Sequence, residues 1–278
     1  MTIALTGATG ELGQLALAAF KARAPKADII ALVRDPAKIS GTPARAFDYT
    51  KPETLAPALK GIDTLVLISS NDFNDRSGQH RAVITAAKTA GVARIIYTSI
   101  LKGDASPMIL AADHIATEAA LKASGIPATI LRNGWYTENY TGSLKASVEH
   151  GALIGASADG RIASAARADY AEAIAVTALD DSHAGKTYEL AGDIPFTMAE
   201  FAAEVSKQTG KTIPFNNLPK DTYAGILQSF GLPEGFANVL ADSDDTAANG
   251  SLLDESHTLS KLIGRPTTPI ATTIKAAL

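Results

Sequence analysis

The sequence predicts an α/β protein: a doubly wound parallel sheet followed by a smaller α/β lobe in the C-terminal part. Three observations support this fold class. Short β-branched runs alternate with alanine-rich helical segments over the first half of the chain. A glycine-rich stretch, TGATGELG (residues 6–13, the glycine loop), lies between the first of these runs and the first helical segment. After Arg132 the alternation weakens, and Gly, Asn, Ser and Asp become more frequent.

The first half contains nine predicted elements. The strands are apolar and β-branched, and we place them at residues 2–6, 28–33, 44–47, 62–69, 92–99 and 128–132. The helices between them are rich in alanine, and we place them at residues 11–23, 75–90 and 111–124. Six strands with crossover helices form two mononucleotide-binding halves, which is the Rossmann-type arrangement.

The second half is predicted to return once to the main sheet. We expect a helix at 170–178, a strand at 186–190 and a further helix at 197–209. Helix candidates in 214–248 are separated by Pro219 and Pro233, and a last helix runs from Pro269 to the end. The predicted domains are therefore a Rossmann core at 1–132, completed by about 161–192, and a smaller substrate-side lobe at 133–160 and 193–278.

Composition excludes several function classes. Lys and Arg total 25 against 29 Asp and Glu, a net charge of −4, so nucleic acid is not an expected partner. The chain has no cysteine, which fits a reducing cytoplasm. Its apolar runs are far shorter than the roughly 20 residues that a bilayer requires, so no membrane partner is expected.

The glycine loop indicates a dinucleotide site. Glycines at this spacing let backbone N–H groups approach a diphosphate without Cβ collisions, and the dipole of the following helix favours the anion. The alternative is a tight structural turn. The position between a predicted strand and a predicted helix, within the first fifteen residues, favours the dinucleotide.

The end of the second predicted strand favours NADPH over NADH. NAD enzymes commonly carry an acidic residue there, whereas this chain has Arg34 in the stretch ALVRDPAK. The planar guanidinium suits the oxygens of a 2′-phosphate, and Lys38 lies one turn further on. The alternative is a solvated loop arginine, and the neighbouring Asp35 weakens the assignment. Ser69, at the end of the fourth predicted strand, is expected to line the adenosine and pyrophosphate path, or else to belong to an ordinary polar loop.

The order of elements resembles the short-chain dehydrogenase/reductase superfamily, which implies a catalytic tyrosine and a lysine four residues later. In their place stand His114 and Glu118, and Ser99 ends the fifth predicted strand. A quinone or a cationic dye accepts hydride into a delocalised system and makes less demand on a proton donor than a ketone does. His114, if its pKa is near neutral, is a candidate to assist; the alternative is a helix-packing role. No metal site is expected, because no third ligand has a recognisable spacing.

The stretch LRNGWYTENY, after the sixth predicted strand, is expected to form the wall beside the nicotinamide. Asn133 can present an amide group, and Trp135 and Tyr136 can offer flat surfaces to an aromatic acceptor. We therefore select Asn133, Trp135, Tyr136 and His114 as candidate catalytic residues. The alternative for each aromatic residue is packing between lobes. Arg167 opens a predicted helix and is a further cation that could reach cofactor or substrate, or be structural.

Taken together, TGATGELG, ALVRDPAK, YTSILKGDASPMILAADHIATE, LRNGWYTENY, IASAARADYA and TLSKLIGRPTT resemble the NmrA-like atypical members of this superfamily. More narrowly, the chain is similar to the bacterial NADPH-dependent quinone oxidoreductases of type 2, over essentially its whole length. The resemblance implies a Rossmann domain with a small C-terminal lobe, an active cleft between them, and direct hydride transfer from NADPH to a quinone without flavin.

The same resemblance implies the cofactor-binding residues. It assigns the diphosphate loop, the 2′-phosphate contact and the adenosine border to Gly7, Ala8, Thr9, Gly10, Glu11, Leu12, Arg34, Asn74, Asp75 and Arg76. It assigns the border of the cofactor or cleft to Glu138, Asn139, Tyr140, Thr141, Gly142, Ser143 and Arg167. The alternatives are an NADP(H)-binding redox sensor of the NmrA type without turnover, and a reductase of triphenylmethane-type dyes. The partner expected is a small-molecule quinone; a homodimer is left open.

Overall fold

The computed structural model describes residues 1–72 and 74–278, which divide into two compact units. The first, here called the sheet unit, comprises Met1–Gly103, Asp113–Asn133 and Arg167–Tyr188. The second, here called the C-terminal unit, comprises Asp104–Ala112, Gly134–Ala166 and Glu189–Leu278. The chain thus rejoins the sheet unit at Arg167, six residues later than the expected 161. The predicted domain boundaries stay a prediction.

A seven-stranded sheet carries the architecture, in the strand order β3-β2-β1-β4-β5-β6-β8. The pairings from β3 through β6 are parallel. This order reverses between β1 and β4, as a doubly wound sheet requires, and it confirms the predicted fold class. The strands of the chain are β1 Thr2–Thr6, β2 Asp28–Val33, β3 Ala44–Ala46, β4 Thr64–Leu67, β5 Arg94–Ile100, β6 Ala128–Asn133, β7 Leu153–Gly155, β8 Thr187–Leu190 and β9 Phe215–Asn217.

The central strands of the sheet are buried on both sides, because helices cover both faces. Every residue of β4 and β5 is buried, so neither face of these strands can be left to solvent. The α-helices are α1 Glu11–Arg23, α2 Leu55–Ala58, α3 Arg76–Ala90, α4 Ala111–Ser124, α5 Glu138–Thr141, α6 Leu144–His150, α7 Arg167–Leu179, α8 Met198–Thr209, α9 Lys220–Ser229, α10 Glu234–Ala247, α11 Thr258–Ile263 and α12 Ile270–Ala277.

The core of the sheet unit lies on the face covered by α2, α3 and α4. It joins Leu65 and Leu67 of β4 to Leu59, Val83 and Leu121. Helices α1 and α7 pack against each other, and α7 also contacts β4, β5 and β6. The helices are therefore divided between the two faces, and the C-terminal ends of the parallel strands stay open at one edge.

Threonine hydroxyls end the sheet ladder at this edge. The amide of Ile68 donates to Thr6 Oγ1 at 2.9 Å, and the amide of Ser69 donates to Thr98 Oγ1 at 2.9 Å. Strand β4 therefore stops at Leu67, two residues before the predicted end, because the next two amides bond to side chains rather than to a neighbouring strand. The chain is free to turn outward there.

A helix cap explains the late start of β5, which was predicted from residue 92. Gly91 ends α3 in the left-handed region at φ 77°, and the amide of Val92 donates to the Ala87 carbonyl at 3.0 Å. This is the hydrogen-bond pattern of a Schellman cap, in which the residue after the glycine still belongs to the helix end. Val92 is buried, so its apolar character serves the cap rather than the strand.

The C-terminal unit contains a short parallel pair, β7 and β9, and the helices that pack around it. Thr197 and Glu200 form a capping box at the start of α8, which buries Phe201 and Val205 on one face. Prolines 219 and 233 precede α9 and α10, as the sequence predicts. Among the described residues, no helix is both long enough and apolar enough to cross a membrane.

Candidate functional site

The glycine loop packs closely against the start of α1, and a side chain at Gly13 would have no room. Gly7 lies in the left-handed region at φ 62°, and the Gly10 amide donates to the Gly7 carbonyl at 2.9 Å. A Cβ at Gly13 would lie 2.2 Å from the Gly7 carbonyl oxygen and 2.7 Å from Ala8 Cα. Helix α1 therefore starts directly against the loop, with its N-terminal amides at the strand edge.

A cavity of about 500 Å³ opens at this edge and is lined entirely by the sheet unit. Its size is within the range of small-molecule and cofactor sites. Its walls come from the glycine loop, the ends of β2, β3 and β4, and the start of α7. The lining residues are Gly7, Thr9, Gly10, Glu11, Leu12, Gly13, Leu32, Val33, Arg34, Phe47, Asp48, Tyr49, Thr50, Ile68, Ser69, Ser70, Asn71, Asp72, Gln79 and Arg167.

Arg34 lines this cavity and is exposed, while its acidic neighbour serves another purpose. Asp35 accepts a hydrogen bond from the amide of Ala37 at 3.1 Å and so caps the short 3₁₀ turn Pro36–Lys38. Neither Asp35 nor Lys38 is among the lining residues. The guanidinium is therefore the cation that the end of β2 presents to the cavity.

Asp48 faces the same end of the cavity. Burial opposes its ionisation, but hydrogen bonds from the Thr50 amide and hydroxyl, at 3.0 and 2.8 Å, together with the charges of Lys51 and Arg34, lower its pKa below the ordinary value. Asp48 is thus anionic at neutral pH. Its hydrogen bonds to Thr50 also shape the turn after β3, which contributes four residues to the cavity wall.

The loop after β4 is held by the first turns of α3. Ser70 donates through its hydroxyl to Gln79 Oε1 at 2.7 Å, and its carbonyl accepts from Arg76 Nε at 2.6 Å. Its amide donates to His80 Nε2 at 2.9 Å. Gln79 in turn donates to Asp72 Oδ2 at 2.6 Å. Ser70 and Asp72 are therefore fixed in the cavity wall by buried side chains of one helix.

His80 has a defined tautomer. Because Nε2 accepts the Ser70 amide, Nδ1 carries the proton and donates to Thr117 Oγ1 at 2.9 Å. Burial and the nearby charge of Arg76 lower the pKa of His80 to about 3. His80 is therefore a neutral, structural histidine beneath the cavity wall.

His114 occupies a comparable buried position. Its Nδ1 lies 2.8 Å from the Tyr97 hydroxyl, and its side chain is 6% exposed. Burial, with the charge of Arg76, lowers the pKa of His114 well below the usual value. The near-neutral pKa on which an assisting role for His114 depends is therefore not found, because the imidazole is buried inside the unit. His114 is not among the cavity-lining residues.

Glu118, one turn after His114, forms an ion pair with Arg132. The guanidinium donates to both carboxylate oxygens, at 3.0 and 2.7 Å, and Ser99 donates to the same carboxylate at 2.5 Å. Arg132 packs against Gly103, where a Cβ would lie 2.2 Å from the guanidinium carbon. The serine and the helix carboxylate thus stabilise one another, at the positions where the superfamily resemblance implies catalytic groups.

Arg167 lies at the cavity mouth, where α7 begins. It forms an ion pair with Glu11 in the first turn of α1. The Arg167 side chain is 17% exposed and that of Glu11 is 75% exposed. The structure therefore brings Arg167 to the glycine loop, from which it is separated by more than 150 residues of sequence.

The residues selected after β6 fall in both units. Asn133 ends β6 in the sheet unit, whereas Trp135 and Tyr136 belong to the C-terminal unit. The α5 region, Glu138, Asn139, Tyr140, Thr141, Gly142 and Ser143, belongs to the C-terminal unit as well. Trp135 is buried at 8% exposure. Their roles beside a nicotinamide stay predictions.

Tyr140 is the best-defined member of this group. Its ring contacts those of Phe196 and Phe201 at centroid distances of 6.4 and 5.9 Å. Its hydroxyl donates to Asp244 Oδ1 at 3.4 Å, and Asp244 Oδ2 accepts the Ala156 amide at 2.5 Å. Burial raises the pKa of Asp244 to about 6, against the hydrogen bonds that it accepts. Tyr140 therefore anchors α5 inside the C-terminal unit.

The cavity gathers part of the predicted cofactor set and adds residues that the sequence did not single out. Of the predicted residues it brings together Gly7, Thr9, Gly10, Glu11, Leu12, Arg34, Ser69 and Arg167. It does not include Ala8, Asn74, Asp75 or Arg76. Arg76 is buried and supports Ser70 from behind, whereas Asn74 and Asp75 are exposed at the start of α3.

The sequence reasoning missed the turn after β3 and, in α3, Gln79. Phe47, Asp48, Tyr49, Thr50 and Gln79 line the cavity. The turn could have been found from the sequence, because β3 was predicted and ligands bind beyond the C-terminal ends of the strands of such sheets. No sequence signal marks Gln79, which reaches the cavity only because Ser70 bonds to it.

The cavity fits a dinucleotide in volume and in donor set. The glycine loop lines it and has no room for a side chain at Gly13, the N-terminus of α1 adjoins it, and Arg34 and Arg167 supply cations. These residues would hold a diphosphate and a further phosphate; the carboxylates of Asp48 and Asp72 would face hydroxyl or amino groups.

Comparisons with known proteins agree with this geometry. Residues 7–181 match a protein family described as NAD(P)H-binding. Quinone oxidoreductase 2 of Escherichia coli is 50% identical over 98% of this chain and 97% of its own length. An NmrA-like family domain-containing oxidoreductase of Aspergillus flavus is 30% identical over 97% of this chain and 92% of its own.

Solved structures extend the likeness to the fold. The crystal structure of an NADPH-dependent quinone oxidoreductase of E. coli, complexed with NADPH, matches with a TM-score of 0.95 and 50% identity over 99% of both chains. The Citrobacter triphenylmethane reductase complexed with NADP(H) matches with a TM-score of 0.94 and 36% identity over 100% of both chains. The resemblance identified from the sequence is thereby confirmed, and the chain belongs to the NAD(P)H-binding family, among the NmrA-like oxidoreductases.

Proposed function

We propose that this protein is an NADPH-dependent oxidoreductase that transfers hydride directly to quinones, without flavin, giving hydroquinones. The observation that carries the proposal is the cavity at the glycine loop with Arg34 in its wall, in a chain 50% identical to quinone oxidoreductase 2 over 98% of its length. When bound, NADPH supplies the hydride. The glycine loop would bind the diphosphate, and Arg34 the 2′-phosphate.

The side chains near the end of β5 favour an acceptor that needs little acid catalysis. Ser99 donates to Glu118, which is paired with Arg132, and His114 is neutral and bonded to Tyr97. An ordinary ketone requires a proton at the alkoxide as hydride arrives, and these groups are committed to one another. A quinone spreads the incoming charge over a conjugated ring, so its reduction places less demand on the protein.

The acceptor would meet the residues that follow β6. We assign Asn133, Trp135 and Tyr136 to the acceptor side, supported by their position at the C-terminal end of a central strand. Trp135 is the single tryptophan of the chain, so its fluorescence reports on binding nearby. Glu138–Thr141, Gly142 and Ser143 are proposed to border the cofactor.

A second candidate, reduction of triphenylmethane dyes, is favoured by one observation. The Citrobacter triphenylmethane reductase aligns over the whole chain at 36% identity. Such a dye is also a delocalised electrophile that takes hydride without prior protonation. The two candidates therefore share a mechanism and differ in the shape of the acceptor.

The test is oxidation of NADPH by purified protein with a benzoquinone, a naphthoquinone or a triphenylmethane dye, followed by the absorbance of the reduced nicotinamide. A reaction without protein is the control. Faster turnover with quinones supports the main proposal, and faster turnover with the dye supports the second. Binding of NADPH by calorimetry without turnover on any acceptor would instead indicate a redox sensor.

We also propose that the protein works in the cytoplasm. The complete lack of cysteine and the use of a reduced nicotinamide cofactor support this location. Fractionation of cells that produce the tagged protein tests it, and recovery with a periplasmic marker would contradict it. Whether two copies associate is measured by analytical ultracentrifugation.

A further inference from the structure

The charges around the cavity are unexpected for a site that takes a polyanion. Two arginines, Arg34 and Arg167, face three carboxylates, Glu11, Asp48 and Asp72. Hydrogen bonds account for two of these acids: Asp48 accepts from Thr50, and Asp72 accepts from the Asn74 amide at 3.0 Å and from Gln79. Glu11 differs, because it lies within the glycine loop itself.

Glu11 lies where a bound phosphate is most favourable. It is in the first turn of α1, next to the N-terminal amides and the positive end of the helix dipole. Its carboxylate pairs with Arg167 and is still largely exposed, so it can leave this position without crossing a packed region. Arg167 is only 17% exposed, because it is held at the start of α7. The two partners therefore differ in freedom: the carboxylate can move, and the guanidinium is fixed.

From this we infer that Glu11 acts as an internal counter-anion of the cofactor site: it pairs with Arg167 in the free protein and is displaced when the diphosphate of the dinucleotide binds. Arg167 thereby exchanges one anionic partner for another. The exchange keeps the guanidinium paired and oriented between turnovers, and it weakens the net affinity for the cofactor. This inference rests on the proposed binding of NADPH and adds a residue that tunes it.

A double-mutant cycle on the dissociation constant of NADPH, measured by calorimetry, tests the exchange. Glu11→Gln removes the competing charge, and we expect it to tighten NADPH binding about threefold to fivefold, the range of a partly exposed ion pair. In the Arg167→Gln background the same change should alter binding by less than about twofold, because no guanidinium remains to be released. The increase in NADPH affinity from Glu11→Gln should be smaller at high salt, because salt screens partly exposed charges.

Two controls define what the gain means. Glu172→Gln breaks another ion pair between α1 and α7, that of Glu172 with Arg23 at 3.2 Å, outside the cavity lining, and should leave the dissociation constant unchanged. NADH shares the diphosphate but lacks the 2′-phosphate. Glu11→Gln should therefore tighten NADH and NADPH by the same factor.

The outcomes separate this inference from the proposed function. If the natural protein does not bind NADPH, both fail. If it binds NADPH but Glu11→Gln does not tighten binding, or tightens it equally in both backgrounds, the exchange is wrong and the cofactor assignment stands. Should Arg167→Gln not fold, a crystal structure of the natural protein with NADPH decides: a Glu11 carboxylate still paired with Arg167 overturns the inference, and a separated pair supports it.

Discussion

We expect individual side chains at the cavity wall to determine which nucleotide the site prefers. Arg34 is the residue at the end of β2, where an acidic residue would accept a ribose hydroxyl. Asp35, which could have reversed this preference, is used as the cap of a 3₁₀ turn. We therefore expect a preference for NADPH that depends on the Arg34 guanidinium and on the local hydrogen bond that holds the Asp35 carboxylate in the turn.

Replacing Arg34 with alanine should selectively weaken NADPH. We expect KM for NADPH to rise about tenfold or more, since a charge-assisted contact to phosphate contributes about 1.5–3 kcal/mol. KM for NADH should change less than about twofold. Steady-state kinetics with both cofactors measure the ratio, and Lys26→Ala, which removes an exposed cation elsewhere, is the matched control. Equal rises for the two cofactors would reject the assignment.

The residue scale is also where sequence reasoning was least complete. Gly7, Gly10 and Arg34 could be named in advance because a motif and a strand end mark their positions. Arg167 was named only as a cation of uncertain role, and Gln79 was not named, because their places depend on helices α7 and α3 packing beside the glycine loop and β4. The burial of His114 could not be predicted either, since the spacing of residues along a helix does not reveal which face is excluded from solvent.

Among the elements, α1 packs very closely against the glycine loop that precedes it. Helix α1 begins so close to the glycine loop that Gly13 touches the backbone of Gly7 and Ala8. Gly225 in α9 is different, because no atom lies within 4 Å of the position that a Cβ would take there. Glycine is thus a steric requirement in one helix and a conformational cost in the other.

Gly13→Ala and Gly225→Ala should therefore change stability in opposite directions. We expect Gly13→Ala to lower the free energy of unfolding by about 1–3 kcal/mol, as an overpacked contact does, and to weaken NADPH binding. Gly225→Ala should raise it by about 0.5–1 kcal/mol. Urea unfolding followed by circular dichroism measures both. An unchanged free energy of unfolding for Gly13→Ala would show that the glycine loop can move away from α1.

Helix α10 carries a buried acid whose ionisation should oppose folding. Asp244 has a pKa raised to about 6 from an ordinary 3.8, so the folded state binds its proton more tightly than the unfolded state. The contribution of Asp244 to the free energy of unfolding is most favourable below pH 3.8 and is lost as the pH rises through 6. Asparagine does not ionise, so the Asp244→Asn variant does not lose this stability as the pH rises.

The difference in unfolding free energy between Asp244→Asn and the natural protein should therefore grow as the pH rises from about 4 to about 7. Guanidinium unfolding at several pH values measures it. The exposed Glu149→Gln is the control and should give a difference independent of pH. A flat difference for Asp244→Asn would mean that its carboxylate is better solvated than its burial indicates.

At the scale of the whole molecule, stability should fall in mild acid because histidines are buried without charge. The pKa of His80 is lowered from 6.5 to about 3, so below pH 6.5 the unfolded chain takes up a proton that the folded chain refuses. Stability from this group is complete above pH 6.5 and declines toward pH 3. The decline between pH 6.5 and about 5 is roughly 1–2 kcal/mol for one such histidine.

His80→Gln should flatten this decline, because a glutamine oxygen can accept the Ser70 amide but does not titrate. The measurement is the slope of unfolding free energy against pH, which is independent of how much the substitution destabilises the fold. His150→Gln alters an exposed histidine and should leave the slope unchanged. An unchanged slope in His80→Gln would place the acid sensitivity elsewhere.

The sequence by itself determined the order of the elements in the Rossmann half, the glycine loop and the arginine at the end of β2. These are encoded locally, because hydrophobic periodicity, glycine spacing and strand ends are properties of neighbouring residues. Only the tertiary structure decided that Arg167 meets Glu11, that the turn after β3 and Gln79 complete the cavity, and that His80 and His114 are neutral. Those features depend on packing between segments distant in sequence, and on the loss of solvent that such packing brings, which no local pattern records.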